Sequence, residues 1–333
     1  MKLLITTQVV DKNHPVLGFF HRWVEEFAVH CEHVHVICLQ KGVFDLPANV
    51  TVHSLGKEEG VSRATYLFRF YKKIWTLRHE YDSVFVHMNQ VYVLLGAPLW
   101  RPLGKRIRLW YMHGVIPFSL RVAELCTHKI YTGSPESFRL KSSKVTVTGH
   151  GIDTTRFAPQ DVPKSIDLIT VGRITPSKNL LAFIEVLNEI NHAYSVTLTI
   201  VGVAVTSGER AYEEVLKKKI VDGGLQDVIY LKGKITQTDL PNVLNQAKVF
   251  VTTAQNGSLD KAVLEAMSCG LPVISMAPGT TSLPLGAAQV RNIAQFVAET
   301  KKVLESGVYL RDDYVDFVKQ NHSLSSLIPK ILQ

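Results

Sequence analysis

Ser258-Leu-Asp-Lys-Ala-Val-Leu-Glu265-Ala-Met-Ser-Cys-Gly270-Leu-Pro-Val-Ile-Ser275 is the stretch whose reading decides the fold. It predicts a loop, a short helix from Asp260 to Cys269, a Gly-Leu-Pro stop and a buried strand from Val273. Gly270 suits a left-handed position just past the helix, and Pro272 cannot continue it. Upstream, Val249-Phe-Val-Thr-Thr253 reads as the preceding buried strand, so Glu265 rides the helix that leaves a strand's carboxyl end. In open α/β sheets ligands sit at that edge. A lone Glu there reads better as a satisfied structural carboxylate on an amphipathic helix, so its neighbours must decide.

Working outward, buried apolar runs alternate with helical periodicity along the whole chain, the signature of parallel α/β architecture. Strands are predicted at 2–7, 34–39, 50–54, 83–87, 106–112, 129–132 and 144–148, with helices at 19–30, 63–81 and 92–100. The pattern breaks from Gly149 to Pro163, the expected domain boundary. A second series follows: strands 166–171, 197–201, 228–231, 249–253 and 272–275, with helices 178–191, 210–222 and 239–246 before the Glu265 helix. The expected organisation is two doubly wound Rossmann-like domains, 1–155 and 156–310, facing a central cleft. The tail 311–333 would return to the first.

The 333 residues carry a net charge of +8. Residues 1–150 hold 19 Lys+Arg against 11 Asp+Glu, while residues 151–333 hold 18 against 18. All the excess positive charge therefore falls in the first half, which predicts an anionic partner there. At 46% hydrophobic and 20% charged residues the composition is that of a globular protein, not a disordered one. No apolar run reaches the ~18 residues of a spanning helix. Lys2 to Ile5 read as the start of a strand, because the apolar stretch is too short for a signal peptide. Cys31, Cys38, Cys126 and Cys269 show no metal or disulfide spacing, which suits a reducing cytoplasm. The histidines, including His21, His87 and His113, show no ligand spacing, and no metal is expected.

Val171-Gly-Arg173-Ile-Thr-Pro-Ser-Lys178-Asn is the second strong signal. A strand ends, Gly172 turns, and Thr175-Pro176 reads as an N-cap with Pro at the first helical position. Free N–H groups at that N-terminus, flanked by Arg173 and Lys178, would seat a diphosphate. Each cation alone could equally be a solvated surface charge.

Together these stretches resemble the donor domain of family 4 glycosyltransferases of the GT-B fold. Val-Gly-Arg-x4-Lys is followed about 90 residues on by Leu-Glu-Ala-Met-x-Cys-Gly-x-Pro-Val-Ile. Gly149-His-Gly-Ile-Asp153 with Arg156-Phe157 and Pro159 is similar to the family's linker, and Asn321-His-Ser-Leu324 resembles its C-terminal helical region. The resemblance implies that Arg173 and Lys178 bind the donor diphosphate and stabilise it as a leaving group. It implies that Glu265 holds the ribose hydroxyls and that Gly233-Lys234-Ile235 reads the nucleobase. Gly18 would lie near the donor phosphate, and His113 beside the sugar. The substrate implied is a nucleotide-sugar, with no further cofactor.

One departure stands out. Eight residues before Glu265 the chain has Gly257, so the first carboxylate of the family's E-x7-E pair is missing. Asp260, one turn on, is the alternative carboxylate. The Gly257-Ser258-Leu259 amides could instead face the phosphates, and Asp260-Lys261 could be an ordinary helix-start acid beside a solvated Lys.

In the basic half, Arg63–Arg78 has helical periodicity. Leu67, Phe70, Ile74 and Leu77 are expected to face the core, Arg69, Lys72 and Lys73 to lie on another face, and Phe68, Tyr71 and Trp75 to form an aromatic edge. With Trp100-Arg-Pro-Leu-Gly-Lys-Arg-Ile-Arg108, these cations suit an anionic bilayer surface, or else a solvated face. The reading is a metal-independent, retaining transferase moving a sugar from a UDP- or GDP-sugar to a glycan or lipid-linked hydroxyl. It would be cytoplasmic, at the inner face of the membrane, and nucleic acid is not expected as a partner. A GT-B epimerase and a non-catalytic nucleotide-sugar or nucleic-acid binder remain open alternatives.

Overall fold

A computed structural model describes residues 1–191 and 194–333. Its strands are near-continuous Val/Ile/Leu runs, as parallel sheets covered on both faces require. The chain divides into two units, Met1–Gly151 with Ser323–Gln333, and Ile152–His322.

The first unit is built on a seven-stranded parallel sheet: β1 (Lys2–Val10), β2 (His33–Lys41), β3 (Val50–Ser54), β4 (Ser83–His87), β5 (Arg106–Trp110), β6 (Lys129–Thr132) and β7 (Val145–Val147). The strand order is β3-β2-β1-β4-β5-β6-β7, so the winding reverses between β1 and β4. One face is covered by α2 (Arg63–Thr76), α3 (Val91–Trp100) and α4 (Phe118–Cys126), through Phe70, Ile74, Trp100 and Leu120. The other face is covered by α1 (Phe19–His30), through Phe20, Trp23, Val24 and Phe27, and by the last helix of the chain.

The second unit has a five-stranded parallel sheet: β8 (Ile166–Val171), β9 (Leu198–Val201), β10 (Ile229–Gly233), β11 (Ala247–Thr252) and β12 (Val273–Ser275), ordered β10-β9-β8-β11-β12. Its winding reverses between β8 and β11. Its helices are α5 (Ala182–Asn191), α6 (Ser207–Asp222), α7 (Leu240–Asn245), α8 (Lys261–Ser268), α9 (Ile293–Ser306) and α10 (Asp312–His322). The final helix, α11 (Leu324–Leu332), belongs to the first unit.

The tail differs from expectation. Residues 312–322 stay with the second unit because Tyr314 and Val318 are buried in the core that holds Met267 and Leu271. Only α11 packs with the first sheet. Leu324, Leu327, Ile328 and Ile331 form an i, i+3, i+4, i+7 stripe there, each worth about 1.5–3 kcal/mol of burial. Tyr131 Oη donates to the Ile331 carbonyl at 3.1 Å and Arg108 donates to that of Leu332 at 3.2 Å, fixing the helix end. The unit boundary falls between Gly151 and Ile152 instead of after residue 155. The helix expected over 63–81 ends at Thr76, and its Leu67 is 42% exposed instead of facing the core, which is carried by Phe70, Ile74 and Leu77. Helices α4 and α9 were not foreseen. Among the described residues no helix is long and apolar enough to cross a membrane.

Candidate active site

The carboxyl ends of β8, β9 and β10 each finish on a glycine with positive φ: Gly172 (+150°), Gly202 (+147°) and Gly233 (+72°). They are laced together, Gly172 N donating to the Val201 carbonyl and Gly202 N to that of Gly233, both at 2.9 Å. A Cβ on Gly202 would stand 1.8 Å from the Gly172 carbonyl oxygen, and one on Gly172 would meet the Lys178 side chain at 2.7 Å. These glycines let backbone and the Lys178 chain close on one another at the sheet's switch point, where α/β ligands sit.

Past Gly172 the chain does not enter a long helix. Pro176–Lys178 form a single 3-10 turn that ends at Asn179 in the left-handed region (φ 51°), and α5 starts only at Ala182. Thr175 makes no side-chain cap bond. The reason lies in β11's exit. Thr253 Oγ1 donates to the carbonyls of Lys178 (3.2 Å) and Asn179 (2.9 Å), and Gln255 N donates to that of Ser177 (2.9 Å). Those carbonyls are taken by the neighbouring loop, so the expected helix N-terminus between Thr175 and Lys178 is replaced by a pinned turn.

Both cations of the expected diphosphate pair are held by carboxylates. Lys178 Nζ bonds Asp260, the N-cap of α8, whose other oxygen accepts from Ala262 N at 3.3 Å. Asp260 is thus a helix-start acid and a partner of Lys178 at once. Arg173 Nη1 bonds Glu209 Oε1 at 2.8 Å. Glu209 was missed by sequence reasoning, although Thr206-x-x-Glu209 is a capping-box pattern. Its second oxygen accepts from Val205 N (2.8 Å) and Thr206 N (3.1 Å), while Thr206 Oγ1 accepts from Glu209 N. Burial works to raise the Glu209 pKa, but the two amides and Arg173 outweigh it and hold the carboxyl below its ordinary range. The guanidinium it anchors is half exposed.

Glu265 lies mid-α8, 3% exposed, and is paired with Lys261 one turn earlier. Burial pushes its pKa up, Lys261 opposes this, and the nearby Asp260 adds to the rise. Lys261 is no solvated side chain, since its ammonium also stands 5.5 Å from the Phe157 ring centre. Gly270 takes the left-handed conformation (φ 75°) that ends α8. In the rebuilt segment, Leu259 is buried and the Ser258 carbonyl lies where a Cβ on Gly279 would be, 2.2 Å away, so residues 257–259 pack on the turn at 278–280. Lys234 is exposed beyond β10, and Ile235 packs on the core beside it. The structure thus groups Gly172, Arg173, Lys178 and Asp260 directly, and reaches Gly233 through Gly202.

On the first unit, Gly18 precedes α1 with an ordinary helical φ of −58°, so conformation does not demand glycine. Space does, because a Cβ would sit 2.7 Å from the His14 carbonyl oxygen and 2.9 Å from that of Lys12. His113 is exposed just past the end of β5, edge-on to Tyr111 at 5.5 Å. His87, by contrast, is a core residue. It is 1% exposed, stacked on Phe20 at 3.8 Å, and burial drives its pKa down to about 3.

Residues 152–307 match the family described as glycosyl transferases group 1. The second unit is a glycosyl transferase group 1 domain. The chain is 26% identical over 156 residues to a putative colanic acid biosynthesis glycosyltransferase of Escherichia coli, WcaL, covering 44% of this chain and 37% of that protein. It is 26% identical over 180 residues to the lipopolysaccharide core biosynthesis mannosyltransferase LpsB of Rhizobium meliloti, covering 50% and 51%. The chain thus spans about half or less of the length of these relatives. Anabaena HepE, solved in complex with UDP, superposes with a TM-score of 0.78 at 17% identity over 100% of this chain and 98% of that one. That likeness establishes the fold, two parallel-sheet Rossmann-like domains of the GT-B type.

Proposed function

We propose that the chain transfers a sugar from a nucleoside diphosphate sugar to a hydroxyl acceptor. The observation that carries this is the switch-point group of the second unit, where Arg173 and Lys178 stand beside three strand-end glycines. Two cations at one strand edge suit a diphosphate, which would exchange with the carboxylates that hold them in the free protein. In the reaction the bond from the anomeric carbon to the β-phosphate oxygen breaks, and its electron pair leaves on the diphosphate. The acceptor oxygen forms the new bond to that carbon and gives its proton to the departing phosphate. Arg173 and Lys178 stabilise the charge that grows on the leaving group. Glu265 would hold the ribose through charge-assisted hydrogen bonds, and Gly233–Ile235 would border the base. Asp260, released from Lys178 by the diphosphate, would supply the carboxylate missing at Gly257. Gly18 and His113 are proposed as contacts for the donor phosphate and the sugar. Transfer is proposed to retain configuration and to need no metal.

The acceptor is proposed to be a glycan or lipid-linked hydroxyl that docks on the first unit, whose residues 1–150 carry the excess positive charge. Relatives named for colanic acid, lipopolysaccharide core and phosphatidylinositol glycosylation support this class. The exposed Phe68 (67%), Trp75 (51%), Leu67 and Tyr71 on α2, beside Lys72, Lys73 and Arg78, suit a peripheral contact with anionic lipid at the cytoplasmic face. Incubation with a panel of sugar-labelled UDP- and GDP-sugars and a glycolipid extract tests the reading. Label should move into the extract with release of one nucleoside diphosphate, and no movement with any donor would refute it.

A further inference from the structure

The carboxyl edge of the first sheet carries a cation that neither the donor site nor the core uses. The loop that leaves β5 curls around Tyr111. Its hydroxyl donates to the Val115 carbonyl at 3.1 Å, its ring meets His113 at 5.5 Å, and Phe138 packs on it at 5.9 Å. Phe138 is buried in the core and so fixes the chain on which Arg139 follows. The Arg139 guanidinium lies against Gly114. A Cβ there would stand 3.3 Å from both its Cζ and its Nε, tighter than an ordinary contact. Glycine at 114 therefore leaves room for the guanidinium.

Arg173, Arg69, Arg22 and Arg311 each have a carboxylate within 3 Å. Arg139 is exposed and has no ion-pair partner among the described residues. Residues 101–150 hold nine Lys+Arg against two Asp+Glu, Glu124 and Glu136, so the segment around Arg139 is strongly basic. In the loop that carries Gly114, Val115 is 71% exposed, and Phe118, the first residue of α4, is 80% exposed. An open guanidinium on Gly114, whose loop also exposes two apolar side chains, is suited to an anion attached to an apolar group, since the fork takes a phosphate bidentately.

We propose that Arg139, seated on Gly114 at the carboxyl edge of the first sheet, is an oxyanion subsite for the acceptor and takes a phosphate borne on an apolar carrier. The subsite rests on the transferase reading, in which the acceptor docks on this unit.

The test titrates phenyl phosphate into the full chain by calorimetry, with and without saturating UDP, and compares wild type with Arg139→Ala, Arg139→Lys and the double variant Arg173→Ala/Lys178→Ala. Arg139 is exposed, and a circular dichroism melt checks that each variant is folded. Phenyl phosphate should bind wild type in the presence of UDP, about tenfold or more weakly in Arg139→Ala, and at an intermediate level in Arg139→Lys. Glycerol 3-phosphate, lacking the apolar group, should bind less well than phenyl phosphate. Equal binding by wild type and Arg139→Ala, or loss only in the double variant, would overturn the subsite. Equal affinity for the two phosphates would overturn its apolar half. UDP is also titrated alone, and a chain that binds no nucleotide sinks the transferase reading separately.

Discussion

Replacing Gly202 by Ala should collapse the donor site from within the backbone. The new Cβ would stand 1.8 Å from the Gly172 carbonyl oxygen, whereas ordinary contact begins at 3.4 Å, so the ends of β8 and β9 would have to part by about 1.6 Å. Neither strand can slide freely, because Gly172 N is bonded to Val201 and Gly202 N to Gly233. At φ +147° a side chain adds about 1–3 kcal/mol of backbone strain. Overpacking adds about 1–3 kcal/mol more. A loss of about 2–6 kcal/mol in a unit of this size lowers its melting temperature by roughly 4–24 °C. Differential scanning calorimetry of the full chain reads this, and a UDP titration reads the site. A melting temperature within 3 °C of wild type, with UDP binding intact, would refute the claim that close backbone approach at these glycines builds the site.

Glu265→Gln should weaken UDP about tenfold or more and leave inorganic pyrophosphate unaffected, since only the nucleotide carries a ribose; equal losses for both would remove Glu265 from that role. His87 is held neutral by burial, with its pKa at about 3 against about 6.5 when unfolded. The unfolded chain binds the extra proton first, so the contribution is complete above pH 6.5 and is lost as pH falls toward 3, by about 4–5 kcal/mol in all. Urea denaturation of wild type and His87→Phe at pH 7, 5 and 4 should show a shallower acid loss in the variant, and parallel curves would count against this. Phe68→Ser/Trp75→Ser should reduce flotation with anionic vesicles at least several-fold, whereas unchanged recovery would remove α2 from membrane contact.

Several parts of this molecule are legible in its sequence. Strands 50–54, 83–87, 129–132 and 166–171 and the helix 19–30 stand where the sequence puts them, because unbroken β-branched runs and a 3.6-residue apolar stripe have few alternatives. The Gly270 stop was equally plain. What the sequence hid depends on partners far along the chain. Thr175-Pro176 is a good local helix start, but Thr253 and Gln255, some 75 residues on, claim the carbonyls that a helix would need. Lys178 and Asp260 are 82 residues apart, and no spacing rule joins them. Leu67 fits the α2 stripe by period but lies where that face turns outward. Glu209 was readable as a cap, and its grip on Arg173 was not.

The central claim is that Arg173 and Lys178 bind a nucleoside diphosphate at the switch point of the second sheet. Isothermal calorimetry of UDP and GDP against wild type and Arg173→Ala/Lys178→Ala tests it most directly. The account predicts one site per chain in wild type for at least one of the two, weakened by about 100-fold or more in the double variant. Binding of equal strength in the folded double variant, or none in wild type, would contradict it.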